Sequence, residues 1–170
     1  MKKMMTGFGL VVAALAISGA ASADTPEPWQ PYVEGDLTLP AERYCGFEVI
    51  AHPEYQKIQS QVLDRYEDGA VRTEQYRGPL LSRFTNQETG AEDVVDLGGR
   101  ALATYTPEGK LQRYETWGPV GVGYPAGAGD ALLQGYYRLS GHHVVTFNAD
   151  GSRDLTVDEG PELNICTLID

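Results

Sequence analysis

Two adjacent histidines, His142 and His143, stand in "GHHVVTFNADGS". Neighbouring side chains on a strand point to opposite faces, so this pair cannot readily hold one metal ion together. His143 shares a face with Val145 and Phe147, which turns it inward. A lone inward histidine is more often a hydrogen-bonded core residue than a ligand or catalyst. His52 precedes Pro53 and is expected at a strand end, on the surface. The histidine stretch runs on into "TFNADGSRDLTVDEG", which invites a calcium reading. With Gly151 at the sixth position of an EF-hand loop, Thr146 takes the first and Val157 the twelfth. Both places require a carboxylate. A hairpin turn at Asp150-Gly151 is the better reading. It leaves at most a shallow acidic site from Asp150, Asp154 or Asp158.

"GVGYPAG" at 121–127 matches G-x-G-x-x-A. That motif works only when a helix opens after the turn and meets a pyrophosphate. Pro125 and the glycines after it do not open a helix, so a loop is expected. There is no G-x-S-x-G to support serine catalysis. No catalytic residue, metal centre or cofactor site is therefore expected.

Cys45 and Cys166 are the two cysteines of the chain. Residues 1–23 read as a signal peptide cleaved after Ala23. Lys2 and Lys3 supply the charged start, "GFGLVVAALAISG" the apolar run and "ASA" the small-residue cleavage site. The apolar run is shorter than the roughly 20 residues that span a bilayer. No transmembrane segment is expected after cleavage, and the protein is expected to be secreted. Export permits a disulfide, and two cysteines allow one intramolecular pairing. Closing so long a loop is worth about 4–5 kcal/mol on a chain-entropy account.

The chain carries 13 Lys and Arg against 24 Asp and Glu, and loss of Lys2 and Lys3 moves the formal charge from −11 to −13. Such a surface repels nucleic acid and anionic lipid headgroups. It keeps an exported protein soluble, or it draws cations such as calcium.

The elements that must carry these residues are strands. Residues 24–42 hold Pro26, Pro28, Pro31 and Pro40 and read as an extended leader, with Trp29 and Tyr32 able to pin it to the surface. Residues 43–170 form a single domain. In "KIQSQVLDRY", Ile58, Ser60, Val62 and Tyr66 alternate with Lys57, Gln59, Gln61 and Arg65. Turn signals fall at Asp68-Gly69, Thr89-Gly90, Glu108-Gly109 and Asp150-Gly151. "ELNICTLI" suits a strand or one helical turn. About eight strands joined by short turns predict an all-β antiparallel up-and-down meander. Closure into a barrel hides its edges, with a β-sandwich as the alternative. In the barrel, Cys45 and Cys166 clasp the first strand to the last segment at the seam.

"CGF" at 45–47, "FTNQETGAEDVVDLGG" at 84–99, "TPEGK" at 106–110, "NADGS" at 148–152 and "NICTL" at 164–168 occur in this order. The layout resembles an uncharacterised family of small secreted actinobacterial proteins with CGF, TN-x-x-TG, DG and C-terminal Cys motifs. The resemblance implies one all-β domain similar to a barrel of the allene oxide cyclase or lipocalin type. Its motifs are turn and disulfide motifs and specify fold, not chemistry. Two departures are Asn164, where the family carries an acid, and the glycine-rich "WGPVGVGYP".

Aromatic residues are frequent in the second half, and barrels of this size can hold one small ligand. Tyr114, Trp117, Tyr136 and His143 are the expected ligand-binding residues. The leading function is a non-enzymatic secreted barrel that binds a small apolar ligand, or an envelope-associated interaction module. A cyclase or isomerase acting in the cavity is the first alternative. A carbohydrate-binding module using exposed aromatics is the second.

Overall fold

The computed structural model describes residues 25–129 and 132–170. The expected signal peptide and its cleavage site lie outside the described residues. Two short strands come first, β1 (Gln30–Tyr32) and β2 (Leu37–Leu39), followed by a 3₁₀ turn at Ala41–Arg43. The next strands come in pairs along the chain, each pair one long ribbon broken by a corner. They are β3 (Val49–Gln56) with β4 (Ile58–Arg65), β5 (Val71–Arg77) with β6 (Leu80–Asn86), and β7 (Glu92–Asp96) with β8 (Arg100–Tyr105). Then come β9 (Leu111–Trp117) with β10 (Val120–Tyr124), β11 (Gly135–Leu139) with β12 (His142–Phe147), and β13 (Arg153–Glu159) with β14 (Glu162–Asn164). A second 3₁₀ turn, Ile165–Leu168, follows. "ELNICTLI" thus supplies both a strand and a turn, and the Asn164 side chain caps the turn by accepting from the Cys166 N–H at 3.1 Å.

The four X-Gly signals are the tips of four hairpins. Gly69, Gly90, Gly109 and Gly151 all have positive φ, between 75° and 90°. Each glycine N–H bonds back to the residue three or four before it: Tyr66, Asn86, Thr106 and Asn148. The meander is antiparallel throughout.

The expected closed barrel does not form. The strands divide into a seven-stranded sheet (β1-β4-β5-β8-β9-β12-β13), a four-stranded sheet (β2-β3-β6-β7) and a three-stranded sheet (β10-β11-β14). None closes on itself, and the sheets pack in a sandwich-like way. The physical reason lies in the corners. Three of them are Gly-Pro pairs, at Gly78-Pro79, Gly118-Pro119 and Gly160-Pro161. Proline brings no N–H to the ladder, and the glycine before it takes a positive φ. Each ribbon therefore leaves one sheet and enters another at its corner.

The corners lie side by side. Lys57 N–H bonds to the Pro79 carbonyl at 3.0 Å, Gly99 to Pro119 at 2.8 Å, Gly118 to Gly141 at 2.9 Å, and Ser140 to Pro161 at 3.0 Å. Along this line the ribbons stay joined. Beyond it, β7 and β10 share no ladder.

Pro53 does not end its strand. β3 runs through it to Gln56, with a register shift between Pro53 and Tyr55. A bulge accommodates the missing N–H. His52 is exposed there and bonds Asp36 at 2.7 Å.

Two apolar clusters hold the sheets. One gathers Leu39, Val49, Phe84, Val95, Ile165 and Ile169. The other gathers Val122, Tyr124, Tyr137 and Leu139 of the three-stranded sheet against Val145 of the seven-stranded one. Cys45 and Cys166 form the disulfide, with Cα atoms 5.2 Å apart and a sequence separation of 121. It does not sit on a barrel seam. It ties the chain before β3 to the turn after β14, and so joins two sheets that share no ladder. No helix among the described residues is long and apolar enough to cross a membrane.

Candidate functional site

A cavity of about 370 Å³ lies where the three sheets meet. Its origin can be followed in the register. On the inner face of the seven-stranded sheet, Tyr76 pairs with Ala101 and Ala103 pairs with Tyr114. Two alanines at the centre of β8 leave space between large neighbours on β5 and β9. On β10, Gly121 and Gly123 have no side chain to fill the opposite wall. A Cβ on Gly121 would lie 2.5 Å from the Tyr136 hydroxyl, and one on Gly123 would lie 2.6 Å from the Tyr44 ring. These glycines let the two tyrosines lie flat against β10.

The wall is apolar, with tyrosine hydroxyls and a few charged groups set into it. Tyr32, Tyr76, Tyr105, Tyr114 and Tyr136 all line the cavity. Burial raises each of these phenols above the ordinary phenol range. All five therefore stay protonated near neutral pH, available as donors and not as bases. Tyr76 donates to Glu74 at 2.7 Å and meets the Tyr105 hydroxyl at 3.0 Å. Tyr32 packs edge-on against Tyr76 with ring centres 5.3 Å apart. Tyr114 and Tyr136 differ from these, because neither hydroxyl has a hydrogen-bond partner among the described residues. Besides burial, the charge of Glu34 helps to raise the Tyr136 phenol.

Glu34 also lines the cavity. Burial raises its carboxyl above the ordinary glutamate range, against a hydrogen bond from Tyr32 that lowers it. Arg153 lines another part of the wall, its guanidinium 4.7 Å from the centre of the Phe147 ring.

The proline-rich leader takes part in the site. Trp29 lies under the Arg77 guanidinium at 3.8 Å. β1 pairs with β4, and Tyr32, Glu34 and Leu37 line the cavity. No alternation pattern in residues 24–42 announces this.

The residues expected to bind ligand are divided by the structure. Tyr114 and Tyr136 reach the cavity. Trp117 and His143 do not line it. Trp117 is on the outer face of the seven-stranded sheet, 37% exposed and stacked on His142 with ring centres 5.3 Å apart. His142 bonds Glu115 at 2.9 Å on that same face. His143 points the other way and is wholly buried. Sequence reasoning missed Tyr32, Glu34, Tyr76, Tyr105 and Arg153. The alternation in "VRTEQYRG" could have flagged Tyr76, which lies directly across from inward Ser60.

Asp150 is absorbed by its own turn, accepting from the Ser152 N–H at 2.9 Å and hydroxyl at 2.7 Å. Asp154 accepts from Asn148 at 2.9 Å. Comparison of the chain with protein-family models, curated proteins and solved structures finds no match.

Proposed function

We propose that the protein binds a small, mainly apolar ligand that carries one oxygen function. The carrying observation is the cavity of about 370 Å³ with two unpartnered phenols, Tyr114 and Tyr136, set into its apolar wall. Neither hydroxyl is tied to another group of the described residues, so both can donate to a ligand carbonyl or hydroxyl in the cavity. The apolar body of the ligand then rests on Ala101, Ala103, Val120 and Val122. The Cys45–Cys166 disulfide is consistent with work outside the cell. The resemblance to small secreted actinobacterial proteins, which rests on the CGF, TN-x-x-TG, DG and C-terminal Cys motifs, supports the same reading.

The test is thermal shift of the disulfide-bonded protein against fatty acids, isoprenoids and aromatic polyketide-like compounds. At least one class should raise Tm, and Ala103→Leu, which fills the cavity, should abolish the rise. No stabilisation by any class, or an undiminished rise in Ala103→Leu, overturns the reading.

Glu34 favours a second reading. A carboxyl with raised pKa beside protonated phenols in an apolar cavity is a candidate proton carrier for an isomerase or cyclase. Glu34→Gln separates the two readings: a binder keeps its affinity for a neutral ligand, whereas an isomerase loses turnover.

A further inference from the structure

A second cluster lies away from the cavity, at the paired corners of the last two ribbons. His143 on β12 stands directly across from Asp158 on β13. Two residues beyond Asp158 the chain turns at Gly160-Pro161 and brings Glu162, the first residue of β14, back to the same place. The corner is fixed by the Ser140 N–H, which donates to the Pro161 carbonyl at 3.0 Å. One ligand atom from each of His143, Asp158 and Glu162 lies within 4.8 Å of the others. None of the three lines the cavity.

The imidazole of His143 is fully buried, at 0% exposure, and neither ring nitrogen has a hydrogen-bond partner among the described residues. Leaving a polar ring unsatisfied in a core is costly. Its Nε2 is aimed at the two carboxylates, 3.3 Å from Asp158 Oδ1 and 3.5 Å from Glu162 Oε1. Charge-assisted hydrogen bonds are shorter, about 2.7–2.9 Å. The separations do suit a shared ion. A tetrahedron with metal–ligand bonds of about 2.0–2.1 Å has edges of about 3.3–3.4 Å.

We propose that His143, Asp158 and Glu162 form a binding site for a divalent cation of the zinc class. His143 supplies Nε2, and the two carboxylates supply one oxygen each and balance the ion's charge. The nitrogen ligand selects against calcium and magnesium, which take oxygen. Half of the Asp158 side chain is exposed, so solvent reaches the cluster from its side. Three protein ligands with an open fourth position describe a site able to bind water or an exogenous ligand.

The other two histidines do not offer this geometry. His142 meets Glu115 through Nε2 and Glu159 through Nδ1, on opposite sides of its ring, so one ion cannot use both contacts. Glu115 is also held by Arg113 at 2.6 Å. His52 has a single carboxylate, Asp36.

Zinc titration of the chelator-treated, disulfide-bonded protein tests the proposal, read by calorimetry and by imidazole nitrogen NMR. One equivalent should bind, and the His143 Nε2 resonance should shift while those of His52 and His142 stay in place. Asp158→Asn and Glu162→Gln keep side-chain shape and should each weaken binding tenfold or more. Millimolar calcium should not compete. Absence of stoichiometric binding overturns the site, and so does unchanged affinity in both variants. A shift at His142 in place of His143 does the same.

Discussion

Gln56 grips Glu34 by both of its backbone groups. The Glu34 N–H donates to Gln56 Oε1 at 2.7 Å, and Gln56 Nε2 donates to the Glu34 carbonyl at 2.9 Å. The side chain thus replaces a missing strand for one residue of the leader, between β1 and β2, and fixes Tyr32 and Glu34 over the cavity. Gln56→Ala removes both bonds and leaves the strands untouched. It should cost about 1–2 kcal/mol of stability and speed hydrogen exchange across residues 30–37. Ligand affinity should fall with it. Exchange rates equal to those of the wild type would show that β1 pairing alone holds the leader.

Glu34 makes the protein pH-sensitive in a definite direction. Burial raises its carboxyl in the folded state, so folding favours the protonated form. Its contribution is fully present below the unfolded pKa and is lost as pH rises through the folded one. At neutral pH the ionised carboxylate is a net cost. Glu34→Gln should therefore stabilise the protein at pH 7 and change little at pH 3. Denaturant midpoints at the two pH values check this, and equal effects at both would refute it.

The disulfide should carry an unusual share of the stability. It closes 121 residues and joins two sheets that share no ladder. Chain entropy gives up to about 5 kcal/mol for a loop of this size. The Cys45→Ser, Cys166→Ser double variant should lose several kcal/mol in urea denaturation. Hydrogen exchange should rise first around the Ile165–Leu168 turn, where the C-terminal segment keeps the core packing of Ile165 and Ile169 and the Asn86 side-chain bond to the Ile169 carbonyl at 3.0 Å.

The turns were legible because each depends on one local event. Gly69, Gly90, Gly109 and Gly151 each take a positive φ that other residues rarely adopt. Any chain with those dipeptides between alternating runs reads as hairpins. The strand faces were legible for the same reason: His142 and His143, one residue apart, point to opposite sides. What the alternation could not carry was the bend. A ribbon that changes sheets keeps its period of two, so alternation does not mark its corner, and the stretch expected as a loop at 121–127 instead enters a strand, β10 (Val120–Tyr124). Gly118-Pro119 and Gly160-Pro161 were the available signals, and they distinguish a folded-over sandwich from a closed barrel. The cavity was less legible still. Ala101, Ala103, Gly121 and Gly123 make it by what they lack, and the residues that face one another across it are far apart in sequence. Glu34 belongs to a segment without periodicity, placed by Gln56 some 22 residues away.

Gly160 offers the sharpest test of the corner as the determinant of this fold. Its φ is +148°, and a Cβ there would lie 1.9 Å from the Ser140 carbonyl oxygen. That oxygen belongs to the neighbouring corner, which the Pro161 carbonyl holds through the Ser140 N–H. Neither backbone can give way without breaking the line of corners. Gly151 is the control: its φ is +90°, and nothing lies within 4 Å of its ideal Cβ. Gly151→Ala pays only for its backbone conformation, about 1–2 kcal/mol. Gly160→Ala adds a clash between two main chains and should cost clearly more, with weakened zinc binding at His143, Asp158 and Glu162. Equal losses in the two variants, measured by urea denaturation, would mean that the corner yields and that the sheets, not the Gly-Pro pair, set the bend.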